Sequence, residues 1–300
     1  MYASIESNVR RSYFLIAFFL ILVMAVAWIF TQVMNLGQGG VAIAVIIAVG
    51  SAWGSYYYSD RIVLSMSRAR PVEKQEYPYL YNTVEGLALA AGLPTPRLYV
   101  IDDTAPNAFA TGRNPKNAVI CVTTGLLQKL DRLELEGVIA HEMSHIKNYD
   151  ILVMTLAVTM VGVVALLSDW MLRSMWWGGG RRRRRDDREG GNQLALILMV
   201  VGVVLAILSP IIAQMVQLAI SRRREFLADA SGAMLTRYPK GLADALRKIS
   251  SDPEPLEAAN KATAHLYITN PLKGQEGWFD HMFDTHPPVQ ERIKALEAMM

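Results

Sequence analysis

Long apolar runs alternate along this chain with segments that are rich in charge. Four runs without a charged residue cover residues 13–34, 39–59, 151–168 and 193–220. A helix needs about 20 mainly apolar residues to cross the hydrocarbon core of a membrane. We therefore predict four membrane-spanning helices, two near the N-terminus and two in the middle of the chain.

Some of these runs have other interpretations. The first run follows Arg10 and Arg11 and contains Ala25-Val26-Ala27, as a cleaved secretory signal would. Its apolar stretch is longer than the roughly 7–15 residues of a signal core, so an uncleaved anchor fits better. The third and fourth runs could instead form a helical hairpin buried within a protein, although both exceed the usual length of globular helices.

The distribution of cations predicts an orientation. Arginines precede the first span and follow the second and the fourth, and cations favour the cytoplasmic side of short loops. The N-terminus and the region after residue 60 are therefore expected in the cytoplasm. The loop at 173–192 departs from this rule, since it would lie outside with seven cations and three acids. Its run Arg181–Arg185 could bind anionic lipid or nucleic acid, or be a solvated loop.

Candidate chemistry is concentrated in His141-Glu142-Met143-Ser144-His145, within a segment at 131–149 that predicts a helix. Residues four apart share one face of a helix, so His141 and His145 can present two imidazoles to one ion, as zinc prefers. Glu142 lies beside the first imidazole, where its carboxylate could take a proton from an attacking water. Two histidines on a helix can also be solvated surface residues, so a third ligand is needed to decide.

Glu225 is the best candidate for that third ligand, because the remaining histidines lie in no clear helix. Glu225 and Asp229 are four apart and share a face. Glu225 could bind the ion while Asp229 accepts a hydrogen bond from the second nitrogen of a ligating histidine. The alternative is that both acids merely balance the neighbouring arginines. An antiparallel hairpin of the two central apolar runs would bring the two ligand-bearing segments to the same end.

Several motifs resemble the HtpX family, bacterial heat-shock-associated membrane metalloproteases related to the CAAX prenyl proteases. These motifs are NAFATG at 107–112, HEMSH at 141–145, SRRREFLADASGA at 221–233, and THPP at 285–288 with ERI at 291–293. The resemblance covers nearly the whole chain and implies a zinc endopeptidase of the inner membrane that degrades damaged or misassembled membrane proteins. It implies zinc ligands at His141, His145 and Glu225 and a catalytic glutamate at Glu142. The arginine-rich loop is not expected from the family.

A substrate-binding edge is predicted between two strands. Residues 97–102 and 117–123 are β-branched runs that indicate strands. Proteases commonly bind a substrate as an added strand, and Asn107 and Ala108 are our candidates for that edge. A structural turn at these two residues is the alternative.

The C-terminal motif supplies two further candidates. His286 precedes two prolines at the predicted start of a helix and could donate a hydrogen bond to the oxyanion of the tetrahedral intermediate. It could equally cap that helix or pack against it. Arg292 is expected to pair with a carboxylate near the site, with solvation at the surface as its alternative.

The predicted fold is an integral membrane α-helical protein with four spans and an α+β zincin-like metalloprotease domain. The divisions are a span pair at 1–59, a discontinuous metalloprotease domain at 60–150 and 221–300, and a hairpin with the Arg-rich loop at 151–220. We expect one Zn²⁺ per chain in a site of the gluzincin type. The expected location is the bacterial inner (cytoplasmic) membrane, with the active site facing the cytoplasm.

The expected partners are the lipid bilayer and misfolded or unassembled membrane proteins as substrates, with self-cleavage as a further expectation. A net charge of +3 does not suggest a nucleic-acid partner. Two competing functions stay open. A protease for lipidated, CAAX-like peptides would need a larger membrane cavity than four spans readily provide. A non-catalytic scaffold or chaperone with structural zinc would have no need of Glu142, and its metal site would be closed.

Overall fold

Two long helices open the chain and pack against each other. They are α1 (Tyr2–Val33) and α2 (Gly37–Met66). The computed structural model describes residues 2–33, 37–160, 222–260, 263–272 and 287–300. Further α-helices are α3 (Pro78–Ala91), α4 (Thr124–Lys129), α5 (Arg132–Lys147), α6 (150–160), α7 (Arg222–Thr236), α8 (Pro239–Ser251) and α9 (Val289–Glu297).

The predicted spans coincide only in part with described helices. The first apolar run lies within α1 up to residue 33, and the second lies within α2. Across the described ranges, no helix combines the length and the sustained hydropathy that a membrane crossing requires. The third run is described up to residue 160, and 151–160 is helical and buried throughout. The rest of that run, the fourth run and the arginine-rich loop lie outside the described residues.

A four-stranded sheet, of order β1-β2-β4-β3, forms the centre of the α/β part. β2 (Arg97–Ile101) and β4 (Val119–Thr123) are parallel neighbours, and β1 (Arg70–Pro71) pairs with β2 in the antiparallel direction. The two predicted strands therefore exist, with slightly shorter bounds. The connection between them contains the edge strand β3 (Ala108–Thr111), which is antiparallel to β4.

Apolar side chains cover both faces of this sheet. In β4, Ile120 and Val122 belong to a large cluster that includes residues of α3, α5, α8 and α9. The alternate residues Val119 and Cys121 belong to a second cluster, with residues from the end of α2 and from α6. Because side chains alternate between the two faces of a strand, a run without polar residues is expected where both faces are buried.

The central helix of the large cluster is α5, which packs against α3, α7 and α8. It begins in a capping box, in which Asp131 accepts a hydrogen bond from the Glu134 N–H at 3.0 Å and Glu134 accepts one from the Asp131 N–H at 2.8 Å. It ends next to Tyr149, whose φ of 60° lies in the left-handed region. The chain therefore turns before α6 and does not continue as one straight helix into the third apolar run.

A glycine allows the close contact between α5 and α7. A Cβ atom on Gly232 would lie 2.9 Å from the backbone nitrogen of His141. Gly232 follows Glu225 and Asp229 at positions that share their helix face. The absence of a side chain at Gly232 thus lets the acidic face of α7 approach the histidines of α5.

We expect Gly232→Ala to lower the midpoint of thermal unfolding of the purified chain, because the added methyl group forces α7 away from α5. The expected cost is about 1–3 kcal/mol, as for other overpacked contacts. Gly86→Ala in α3 is the matched control, since nothing lies within 4 Å of a Cβ added there. It should be neutral or stabilise by about 0.5–1 kcal/mol. Thermal unfolding is monitored by circular dichroism. Equal unfolding midpoints for the two variants would contradict the close packing of α5 and α7.

Candidate metal centre

Two histidines on one face of α5 form the first half of the site. The Nε2 atoms of His141 and His145 lie 3.1 Å apart, and both side chains are buried. Burial lowers the pKa of His141 despite its contact with Asp229. Burial also acts to lower the pKa of His145, but the hydrogen bond with Asp150 and the charge of Glu225 raise it to about 9.

Glu225 reaches the two histidines from α7. Its Oε2 atom lies 3.8 Å from His141 Nε2, and its Oε1 atom lies 3.5 Å from His145 Nε2. One ligand atom from each of the three residues lies within 4.8 Å of the others. Ligand atoms about 2.0–2.1 Å from a tetrahedral zinc ion lie about 3.3 Å apart, so these separations fit such an ion. Two imidazoles and one carboxylate also match the donors of catalytic zinc sites, which leave the fourth position open.

A carboxylate holds the second nitrogen of each histidine. Asp229 Oδ1 lies 2.9 Å from His141 Nδ1, in the position that the sequence predicts for Asp229. Asp150 Oδ2 lies 3.1 Å from His145 Nδ1, which the sequence analysis did not anticipate. Such carboxylates orient an imidazole and raise its basicity, so both Nε2 atoms are directed towards the same point.

Arg292, on α9, is fully buried against the Asp229 carboxylate. Its Nε and Nη2 atoms donate to the two oxygens of Asp229 at 2.8 and 2.7 Å, and its Nη1 atom donates to the Ile268 carbonyl at 2.7 Å. Burial alone would lower the pKa of Arg292, but Asp229 keeps it above the usual arginine range. Burial alone would raise the pKa of Asp229, but Arg292 and His141 lower it. Both groups therefore remain charged inside the protein.

Glu142 lies in the same buried region, and the backbone N–H of Ala110 in β3 donates to it. Burial raises the pKa of Glu142 to about 7, and the nearby Glu225 acts in the same direction. His145 opposes this shift. A carboxyl group with a pKa close to neutral can both accept a proton and return it, as a general acid–base requires.

Asn107 and Ala108 are buried at the start of β3. The Asn107 side chain donates to the Thr269 carbonyl at 3.1 Å and accepts from the Ala108 N–H at 3.1 Å. The Ala108 carbonyl accepts a hydrogen bond from the Ile268 N–H at 3.0 Å. Both backbone groups of Ala108 are therefore used within the chain, and Asn107 ties the segment at 263–272 to the sheet.

The C-terminal motif is described only from residue 287 onwards, so the predicted role of His286 lies outside the described residues. The helix itself is α9, and it begins at Val289 with Pro288 as its N-cap. The two prolines therefore precede the helix. The prediction that they occupy its first positions is wrong.

An HExxH helix joined by a glutamate from a later helix defines a metalloprotease site of the gluzincin type. Comparison with known proteins agrees with this class. The chain belongs to peptidase family M48, whose model matches residues 74–300, and it is a zinc metalloprotease.

Relatives from several bacteria confirm the resemblance to the HtpX family. The protease HtpX homolog of Dictyoglomus thermophilum is 48% identical over 99% of this chain and 94% of its own length. Those of Thermoanaerobacter pseudethanolicus and Streptococcus pneumoniae (strain Hungary19A-6) are 46% and 47% identical over 100% of this chain, covering 98% and 100% of their own lengths.

A solved structure shares the fold. The crystal structure of S. mikatae Ste24p matches 91% of this chain with a TM-score of 0.51 and 19% sequence identity. The present chain spans 62% of that protein. The likeness therefore shows that a metalloprotease domain with a Ste24-like fold is present here.

We expect Arg292→Met to destabilise the fold by about 3–5 kcal/mol, because it leaves the buried carboxylate of Asp229 without its partner. Arg247→Met is the matched control, since Arg247 pairs with Asp244 and Glu297 at the exposed surface. An exposed pair is worth about 0–1 kcal/mol. Thermal unfolding of the two variants measures the difference, and a loss for Arg292→Met no larger than for the control would contradict the buried pair.

Proposed function

We propose that this zinc metalloprotease is an endopeptidase in which His141, His145 and Glu225 hold the ion and Glu142 is the general base and acid. The observation that supports this most directly is the convergence of the three ligand atoms beside the buried Glu142 carboxyl. A purely structural zinc site does not need that carboxyl, which argues against a non-catalytic scaffold.

The mechanism assigns one task to each group. When bound, zinc supplies a Lewis acid that activates water and polarises the scissile carbonyl. Glu142 takes a proton from the attacking water and returns it to the nitrogen of the leaving amine. The Ala110 N–H orients the Glu142 carboxyl for both transfers. Asp229, itself held by Arg292, keeps His141 in the tautomer that directs Nε2 towards the ion.

We place the substrate beside Ala110 in β3, which is one of the two edge strands of the sheet. Ala110 brings that strand next to Glu142, so a peptide bound there would have its backbone beside the proposed base. Asn107 and Ala108 would form the closed end of this cleft, because their hydrogen bonds hold the segment at 263–272 against the strand. His286 remains our candidate for a donor to the oxyanion, with helix capping as its alternative role.

We propose a location in the bacterial cytoplasmic membrane, with four spans and the active site on the cytoplasmic side. The four uncharged runs and the arginines that flank them support this orientation. Large apolar side chains on α1 and α2 are more than half exposed. They include Phe14, Ile21, Trp28, Ile46 and Trp53. Tyr57 and Tyr58 are also exposed near the end of α2, and such aromatic residues are typical of a membrane–water interface.

The substrates that fit this location are misfolded or unassembled membrane proteins, cleaved in quality control or under stress, and copies of the enzyme itself. The unit that cleaves them would be the discontinuous domain at 60–150 and 221–300. The large apolar cluster supports this division, because it combines residues of α3 and α5 with residues of α8 and α9.

We expect Glu142→Gln to keep its affinity for zinc but to lose cleavage by about 10²–10⁴-fold, as the loss of a general base does. The chain would be purified in detergent under chelator, given Zn²⁺, and mixed with an unfolded membrane protein. Glu136→Gln is the matched control on the same helix, since Glu136 makes an outer ion pair with Arg132. Cleavage by Glu142→Gln at the wild-type rate would contradict the assignment. A prenylated peptide cleaved in preference to the unfolded protein would favour the CAAX-like alternative.

The proposed orientation can be tested by labelling in cells. The single cysteine, Cys121, is buried, so an introduced exposed cysteine reports its own location. We expect Gln75→Cys, which is in an exposed turn of the α/β part, to react with a membrane-impermeant maleimide only after the membrane is opened. Gln38→Cys, between the first two apolar runs, should react in intact cells. The reverse pattern would overturn the orientation.

A further inference from the structure

The N-terminal helix reaches the metal centre at its polar end. Asn8, in the second turn of α1, is buried. Its Nδ2 atom donates to the Asn148 carbonyl at 2.7 Å and to Asp150 Oδ1 at 2.7 Å. About two and three helical turns further along α1, Leu15 and Phe19 belong to the same apolar cluster as several residues of α6. The contact at Asn8 is therefore part of a packed interface between α1 and the region that follows α5.

Asp150 joins four helices at this point. Its Oδ1 atom accepts hydrogen bonds from Asn8 and from Arg224 Nη1, the latter at 2.8 Å. Its Oδ2 atom lies 3.1 Å from Nδ1 of His145. The two donors on Oδ1 come from α1 and from α7, so the plane of the carboxylate is fixed from outside α5 and α6. The ring of His145 is thereby oriented by residues on three other helices.

The chemistry of this point favours a neutral amide at position 8. The carbonyls at the C-terminal end of α5 carry partial negative charge, and the Asp150 carboxylate lies beside them. Two acceptors so close together repel each other unless a donor lies between them. The Asn8 amide bonds to both the Asn148 carbonyl and Asp150, whereas an aspartate of the same shape would add a second negative charge.

We propose that Asn8 and Asp150 are positioning residues of the metal centre, through which α1 orients the ligand His145. This inference rests on the proposed function, because it takes His145 as a metal ligand. It makes α1 a structural part of the active site as well as a membrane anchor. If α1 moved away, Asp150 would lose the hydrogen bond from Asn8, and the His145 imidazole would be oriented less firmly. The metal centre therefore binds its ion at full affinity only while α1 is packed against it.

The test uses the full chain in detergent, stripped with chelator and then titrated with Zn²⁺ or Co²⁺. The variants are Asn8→Ala, Asn8→Asp, Asp150→Asn and the double variant Asn8→Ala/Asp150→Asn. Ser12→Ala is the matched control, since Ser12 is buried one turn further along α1 and its hydroxyl donates to the Asn8 carbonyl of its own helix. The readouts are the dissociation constant for zinc and the visible absorption bands of the Co²⁺-loaded chain, which report ligand geometry independently of cleavage.

We expect Asp150→Asn to weaken zinc binding by about 10–100-fold. Asn8→Ala and Asn8→Asp should weaken it by about tenfold, as the loss of a hydrogen bond to a charged group does. All three should shift the Co²⁺ bands, and Ser12→Ala should leave both readouts as in the wild type. The double variant should bind no more weakly than Asp150→Asn alone, because Asn8 acts through Asp150.

Wild-type zinc affinity and Co²⁺ bands in both Asn8 variants would overturn the inference, as would fully additive losses in the double variant. Losses matched by Ser12→Ala would also overturn it, because they would reflect general damage to α1. A wild-type chain that binds zinc but cleaves nothing would refute the proposed protease while these readouts still decide the role of Asn8. A wild-type chain that binds no metal would refute both.

Discussion

A bidentate ion pair between Arg292 and Asp229 lies completely buried between α9 and α7, and Asp229 in turn holds His141 on α5. Charged groups inside a protein cost several kcal/mol each unless they are paired and fully hydrogen-bonded. The pair therefore fixes three helices relative to one another, since moving any of them would leave a charge without its partner. The proposed ligand Glu225 lies on the same face of α7, so its position beside the two histidines depends on the same ion pair.

Asp150 performs the corresponding function for the second histidine, but with donors from other helices. Arg292 and Asp229 belong to the part of the chain matched by the M48 family, and Asp150 is tied to Asn8, which precedes that part. The carboxylate that orients His141 is thus held from within the matched part of the chain, and the carboxylate that orients His145 is held partly from the N-terminal helix pair. Each carboxylate contacts the Nδ1 atom of its histidine, so the two Nε2 atoms are directed at one point.

Local patterns in the sequence predict a large share of this arrangement. The spacing of His141 and His145 places both on one helix face, and the same spacing relates Glu225 and Asp229. The two β-branched runs become β2 and β4 because a strand buried on both faces is apolar throughout. These features depend on residues a few positions apart, where helix and strand geometry alone decides which side chains are neighbours.

The remaining features depend on contacts between distant residues or on a break in local geometry. Asp150 follows the left-handed Tyr149, so a continuous helix from 131 onwards would direct it away from His145. Asn8 is 142 residues from Asp150, and in the sequence it lies beside Arg10 and Arg11, the arginines that precede the first apolar run. The Ala108 carbonyl accepts a hydrogen bond from the Ile268 N–H, a contact that no local pattern indicates. Part of the third predicted span and all of the fourth lie outside the described part of the chain.

The order of the ligands along the chain has a consequence for biosynthesis. A ribosome produces His141, Glu142 and His145 first, and Glu225 and Arg292 emerge only after the intervening central segment. A nascent chain that ends before Glu225 has two imidazoles and a base but lacks the third ligand, and one that ends before Arg292 lacks the cation that stabilises Asp229. The proposed proteolytic centre is therefore incomplete until the polypeptide has been synthesised through Arg292.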